Sequence, residues 1–322
     1  MNLEIQDKNN STVQLNKLIK ICQYIGSMTP YWTQGKGSNV SCKIENVLWI
    51  KASGYRLDAV QNETDLATVD LNFFRKHFKS ISGSENPEKE YAELIARSDL
   101  NLNKNQKRPS METGFHAILP QKFIIHFHSI AALLMADEEK KNPGKVFSTI
   151  EKSIQLKMKY VRPESPGWKL SELIAKEDSI QVFILESHGV ILACDDEKEL
   201  EKWELAEKQF CIEWNYSKLL DLYQSKNPNF DAECTFPDNI PLKIYYPDTA
   251  VFVDKLKDIL ILGESNLFTF PECERNKNKD LYEIWLATRI LISLQPDLEE
   301  LIHEISDTVA SLPTELFRRE NK

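Results

Sequence analysis

The tightest constraint on this chain is the short apolar run 123–127, which follows Pro120 and carries His126, with His128 one step beyond it. The run is rich in strand-forming residues. Side chains on a strand repeat every two residues, so both imidazoles share one face while Ile125 and Phe127 point to the other. Two imidazoles on one face are a chelate that lacks a third arm. A lone His-x-His is more often an ordinary pair satisfied by hydrogen bonds, so its meaning depends on its surroundings.

Those surroundings contain a carboxylate. Pro109 and Ser110 read as a helix start with Ser110 as the cap, which places Glu112 and His116 four apart on one face near the helix N-terminus. Taken alone, Glu112 is a first-turn acid that favours the helix dipole. The helix leads directly into the histidine strand, however, so carboxylate and imidazoles can converge over a short connection. The third arm is His188. Two apolar runs, 182–185 and 190–193, flank Ser187-His188-Gly189, which reads as a bend or a glycine bulge that can aim one side chain off the pleat. Three imidazoles with a nearby carboxylate form a plausible catalytic zinc set, with one position left open for substrate or water.

Upstream lies Gln34-Gly35-Lys36-Gly37-Ser38-Asn39, ahead of strands at 40–43 and 47–51. It lacks the phosphate-loop Gly-Lys-Ser/Thr and the third glycine of the dinucleotide pattern. What remains is a glycine-rich loop, followed by Ala52-Ser53-Gly54, whose amides and hydroxyls suit an anion and read equally as two ordinary turns. Downstream, the turn-rich stretch 159–167 carries Tyr160 and Arg162. Both are site candidates, although surface loops often hold such residues without a catalytic role.

These segments resemble a known family. Gly37-Ser38-Asn39-Val40-Ser41, Lys51-Ala52-Ser53-Gly54, Pro109-Ser110-Met111-Glu112-Thr113 with His116, His126-Phe127-His128-Ser129 and Ser187-His188-Gly189-Val190 occur in the order and approximate spacing of the class II aldolase/adducin family. The similarity is greatest to the aldolase half of bifunctional rhamnulose-1-phosphate aldolase/alcohol dehydrogenases. It spans roughly residues 12–220, with a weaker echo in 246–252. The resemblance implies His126, His128 and His188 as ligands of Zn2+ or another divalent transition metal, and Glu112 as general acid/base. It places Asn39, Ser53, Gly54 and Ser110 where relatives hold a substrate phosphate. Ser38 departs from the pattern, since relatives usually have a second glycine there.

The activity so implied is reversible retro-aldol cleavage of a ketose 1-phosphate to dihydroxyacetone phosphate and an aldehyde. Sugar-phosphate epimerisation, dehydration and a non-enzymatic adducin-like module are the alternatives. Relatives that epimerise tend to carry aspartate in place of Glu112, and loss of catalysis should release the histidines, all of which are present. The resemblance further implies a homo-oligomer, with a tetramer favoured. The dinucleotide-binding domain of the bifunctional relatives has no counterpart in the 322 residues, so dehydrogenase activity is not implied.

Alternating strands and helices imply an α/β fold. The resemblance specifies three α/β/α layers around a central, largely antiparallel sheet, plus a mixed C-terminal extension. Ser11 heads an amphipathic helix behind a frayed residue 1–10 segment, residues 66–78 and 88–97 read as helices, and 197–223 as one long helix. The turn-rich stretch 225–229 marks a boundary between a catalytic domain, 1–226, and an extension, 227–322, for packing or oligomerisation. In the extension, 242–253 and 259–262 read as strands, and 282–294 and 298–312 as helices. A net charge of −9 argues against nucleic acid as a partner. No apolar run approaches the ~20 residues of a membrane span, and the N-terminus lacks a signal core, so a cytoplasmic location is expected. The 6 cysteines form no Cys-x-x-Cys pair and read as small buried hydrophobes.

Overall fold

The computed structural model describes residues 2–104, 107–177, 179–225 and 235–311, with side chains from residue 11 onward except at 304, 310 and 311. Seven strands form the central sheet: β1 (Asn39–Ile44), β2 (Val47–Lys51), β3 (Leu66–Asp70), β4 (Phe123–Phe127), β5 (Met158–Val161), β6 (Val182–Leu185) and β7 (Gly189–Cys194). Their order is β3-β2-β1-β4-β7-β6-β5. Every neighbouring pair is antiparallel except β5 with β6. The period-2 rule decides what each face meets. Phe123, Ile125 and Phe127 of β4, with Val190 and Leu192 of β7, join the core that contains α1 (Asn2–Ser27), α5 (Ile130–Lys141) and α8 (Lys198–Glu213). Ile124 and Ile191 face the opposite layer, with Phe115 of α4 (Thr113–Ile118) and Leu170 of α7 (Trp168–Ile174). The three-layer α/β/α arrangement is therefore the one the resemblance implied.

Several elements differ from their sequence reading, each for a local reason. Residues 66–78 hold two elements, β3 and α2 (Leu71–Phe78), because Asp70 caps the helix by accepting from the Phe73 amide at 2.9 Å. The apolar pattern runs straight across that junction and conceals it. The long helix after Glu197 ends at Glu213, and Asn215 takes a left-handed φ of 61° before α9 (Ser217–Gln224) begins. The stretch 242–253 is not a strand. Its aromatic and β-branched residues favour one, yet Pro247 at the first helical position starts the helix Pro247–Ile259, as proline does where no amide is needed. The strand read at 259–262 shrinks to Ile261–Leu262, one member of a small antiparallel sheet with Asn239–Ile240 and Phe268–Thr269. The last described helix spans His303–Ser311 and the first begins at Asn2 rather than Ser11. Cys273 is exposed, unlike Cys22, Cys42, Cys194 and Cys211, and Cys234 lies outside the described residues.

The expected boundary at 226/227 also falls outside them. On either side of it the chain shares one core: Tyr245, Leu256, Ile284, Trp285 and Leu291 belong to the cluster that contains α5. Among the described residues, no helix is long and apolar enough to cross a membrane.

Behind β4 sits a buried carboxylate. Glu207 of α8 is fully buried and accepts from Trp32 Nε1, Trp203 Nε1, Tyr223 Oη and the Ser129 hydroxyl. Ser129 in turn caps α5 by accepting from the Ala132 amide. The residue directly after His128 is thus tied to three helices, α5, α8 and α9, and to the loop that holds Trp32. Removing the carboxylate strands four donors, each costing about 1–3 kcal/mol when left unpaired. Glu207→Ala should lower the unfolding free energy by at least ~3 kcal/mol in urea titration; a loss below ~1 kcal/mol would contradict this account of the node.

Candidate metal centre and anion cleft

The end of β4 brings the histidines together. Asn39 and Ile191 flank His126 in register on either side, and His128 stands immediately past the strand. His188 arrives on the β6–β7 turn, where Ser187 has φ 54° and Gly189 φ 138°. Gly189 is required there twice over. An L-residue rarely adopts that φ, and a Cβ would lie 2.3 Å from the Phe127 carbonyl oxygen. This close approach sets the His188 ring centroid 4.7 Å from that of His126 and 5.3 Å from that of His128.

One nitrogen of each ring lies within 4.8 Å of the others, and all three residues are buried. Their hydrogen bonds decide which lone pairs are available. His126 Nδ1 lies 2.9 Å from the Val190 carbonyl oxygen, which only accepts, so Nδ1 carries the hydrogen and Nε2 keeps its lone pair. His128 Nδ1 likewise donates to Asp248 Oδ2 at 2.6 Å. Buried His126 Nε2 has no hydrogen-bond partner, and neither has Glu112 Oε1, although the two face each other at 3.5 Å. Facing lone pairs in a dry site call for a cation or a proton between them. The donor set therefore fits a divalent transition metal. Burial depresses the His126 pKa to about 4, against the pull of Glu112.

Glu112 lies at the N-cap position of α4 with φ −89° and ψ 6°, not one turn inside a helix begun at Ser110. The Ser110 hydroxyl accepts its amide at 3.2 Å. Tyr91 holds the same loop, donating to the Met111 carbonyl and accepting from the Gly114 amide. Burial works to raise the Glu112 carboxyl, but the surrounding imidazoles, His126 foremost, outweigh it and hold it well below the usual carboxylate range. One oxygen lies 3.3 Å from His188 Nε2, and the other accepts from Asn39 Nδ2 at 2.7 Å. His116 turns away to Ser41 of β1, 2.7 Å from its hydroxyl.

A cleft opens beside the rings, lined by Glu112, His128 and His188 together with Asn39, Ser53, Gly54 and Ser110. Ser38 adopts the left-handed φ of 70° that glycine would take more readily, so serine preserves the loop shape at a cost of about 1–2 kcal/mol. Tyr160 and Arg162 do not join this cleft. β5 is the far edge strand, three places from β4; both residues line a separate hollow with Glu186 and Ser187, and Tyr160 donates to Glu186.

Sequence reading missed three residues. Lys51, fully buried, donates to the carbonyls of Lys36 and Tyr55 at 3.0 and 2.9 Å, tying the glycine loop to the Ser53-Gly54 turn. Its position inside the Lys-Ala-Ser-Gly segment was the available signal. Glu283 accepts from the Gly35 amide at 2.7 Å and binds Arg56, and Asp248 reaches His128. Neither acid lies near its target in sequence: the stretch 246–252 that echoes the family holds Asp248 and was the one available signal for it, whereas no local pattern marks Glu283.

The model for the class II aldolase and adducin N-terminal domain matches residues 16–200. The uncharacterized oxidoreductase YuxG of Bacillus subtilis (strain 168) is 28% identical over 177 residues, which are 53% of this chain and 24% of that protein. This chain thus matches only about a quarter of that relative's length. The N-terminal class II aldolase domain of a conserved Thermoplasma acidophilum protein superposes with a TM-score of 0.50 at 22% identity, covering 62% of this chain and 92% of that one. L-fuculose 1-phosphate aldolase of Glaciozyma antarctica PI12 gives a TM-score of 0.46 at 12% identity over 91% and 94% of the two chains.

If the three rings share one cation, saturating metal stabilises the fold. At a hundredfold excess over Kd the gain is about 2.7 kcal/mol, visible as a rise of several degrees in Tm. His126→Ala should abolish that rise in the same thermal scan.

Proposed function

The chain belongs to the class II aldolase and adducin family, and from that premise we propose that it is a metal-dependent aldehyde-lyase. It would cleave a ketose 1-phosphate of the rhamnulose or fuculose type to dihydroxyacetone phosphate and an aldehyde such as lactaldehyde. The supporting observation is the pair of unpartnered lone pairs, His126 Nε2 and Glu112 Oε1, with Glu112 in the lining of a cleft that Ser53, Gly54 and Ser110 also line. His126, His128 and His188 would hold the metal, zinc in this reading. Bound there, a divalent cation would supply positive charge beside the oxygens on which negative charge develops as the carbon–carbon bond breaks.

The chain's own residues account for the rest. Glu112, held as a carboxylate by its neighbours, would take the proton of the hydroxyl on the aldehyde-forming carbon as the carbon–carbon bond breaks and return it to the enediolate carbon of the dihydroxyacetone phosphate half. Asn39 orients that carboxylate through one oxygen and leaves the other directed at the reacting atoms. Such fixed orientation is the precondition of general acid–base catalysis. The hydroxyls of Ser53 and Ser110 and the backbone at Gly54 would receive the phosphate, whose negative charge suits exposed amides. Burial of the histidines and Glu112 keeps bulk water from the developing carbanion. A phosphorylated sugar as substrate and a homo-oligomer as the working assembly belong to the same reading.

Incubation with a panel of ketose phosphates, coupled to detection of dihydroxyacetone phosphate, tests it. Glu112→Gln should retain metal while losing about 10²–10⁴ in turnover, and His128→Ala should lose both. Appearance of only an isomeric sugar or a dehydrated product would replace cleavage by epimerisation or dehydration. Full activity in Glu112→Gln would remove that carboxylate from the chemistry.

A further inference from the structure

We propose that Asp248, carried by the C-terminal segment outside the matched residues 16–200, is a positioning residue that completes the metal centre by fixing His128 as an Nε2 ligand. The proposal rests on the reading of the three histidines as ligands. Asp248 is fully buried, and its Oδ2 accepts the Nδ1 hydrogen of His128 at 2.6 Å across 120 residues of sequence. The contact is built from both sides. Pro247 occupies the first position of the helix and Asp248 follows it, inside the first turn. On the other side, Gly37 makes room: a Cβ there would lie 2.3 Å from Asp248 Oδ2 and 3.1 Å from the His128 ring.

The segment is anchored independently of this contact. Tyr246 donates to the Ile284 carbonyl at 3.2 Å. Glu283 holds the Gly35 amide and the Arg56 guanidinium, so the extension grips the glycine loop on either side of Lys36. The two ligands at the end of β4 are thus supported unequally. His126 leans on a neutral carbonyl, whereas His128 leans on a carboxylate, which fixes the tautomer more strongly and leaves more electron density at Nε2.

Zinc affinity of the full-length chain, measured by competition with a chromophoric chelator, tests the role. Asp248→Asn keeps the shape and removes the charge, and should weaken binding about 10-fold; Asp248→Ala should weaken it nearer 100-fold. The Co2+ absorption bands of Asp248→Asn should shift as well. Affinity within threefold of the wild type in both variants overturns the proposal and leaves the proposed function standing, whereas wild-type protein that binds no metal ends both. Should either variant fail to fold, long-range 1H–15N spectra of the zinc-loaded wild type decide the matter. Hydrogen on His128 Nδ1 with metal on Nε2 is the expected result, and metal on Nδ1 overturns the proposal.

Discussion

Unpaired lone pairs facing one another in a dry space are what this structure has to accommodate. A buried polar atom without a partner costs on the order of 1–3 kcal/mol, and His126 Nε2 and Glu112 Oε1 both stand in that condition. A chain selected for stability alone would place apolar side chains there. This one spends a left-handed glycine at position 189, a turn pressed against the Phe127 carbonyl and a carboxylate held by Asn39 on crowding ring nitrogens and a carboxylate oxygen together. The arrangement makes physical sense once a divalent cation is counted among its parts.

The scaffold around those groups is stiff where it needs to be. β4 lies in the interior of the sheet, hydrogen-bonded on both edges, so the backbone at His126 has little freedom. His128, just past the strand, gains its rigidity from the next residue, since Ser129 caps α5 and donates to Glu207. Glu112 sits on a loop, but Tyr91 and Ser110 both hold that loop by hydrogen bonds. Rigid placement of this kind is what lets a site recognise developing charge without reorganising.

Much of this was legible in the sequence because its decisive parts are local. A two-residue period placed His126 and His128, a glycine after His188 marked the sharp turn, and Glu112 lay a few residues upstream of the strand. The glycine loop and the Ser53-Gly54 turn were likewise visible as loops. Legibility failed wherever tertiary contact decides. Nothing near Glu283 points to Gly35, and the Pro-Asp helix start was outweighed by the β-forming residues around it. Tyr160 and Arg162 have the right chemistry for a site, but strand order alone carries them to the sheet's far edge. The Leu66-to-Phe78 misreading has the same root, since periodicity records which residues are buried and not where a cap interrupts them.

The direct test of the central claim is anomalous diffraction from crystals of the zinc- or cobalt-loaded protein, collected on both sides of the metal edge. The account predicts one strong anomalous peak about 2.0–2.1 Å from a nitrogen of each of His126, His128 and His188, with Glu112 beside it. A peak bound elsewhere, or rings with no shared peak between them, would contradict it.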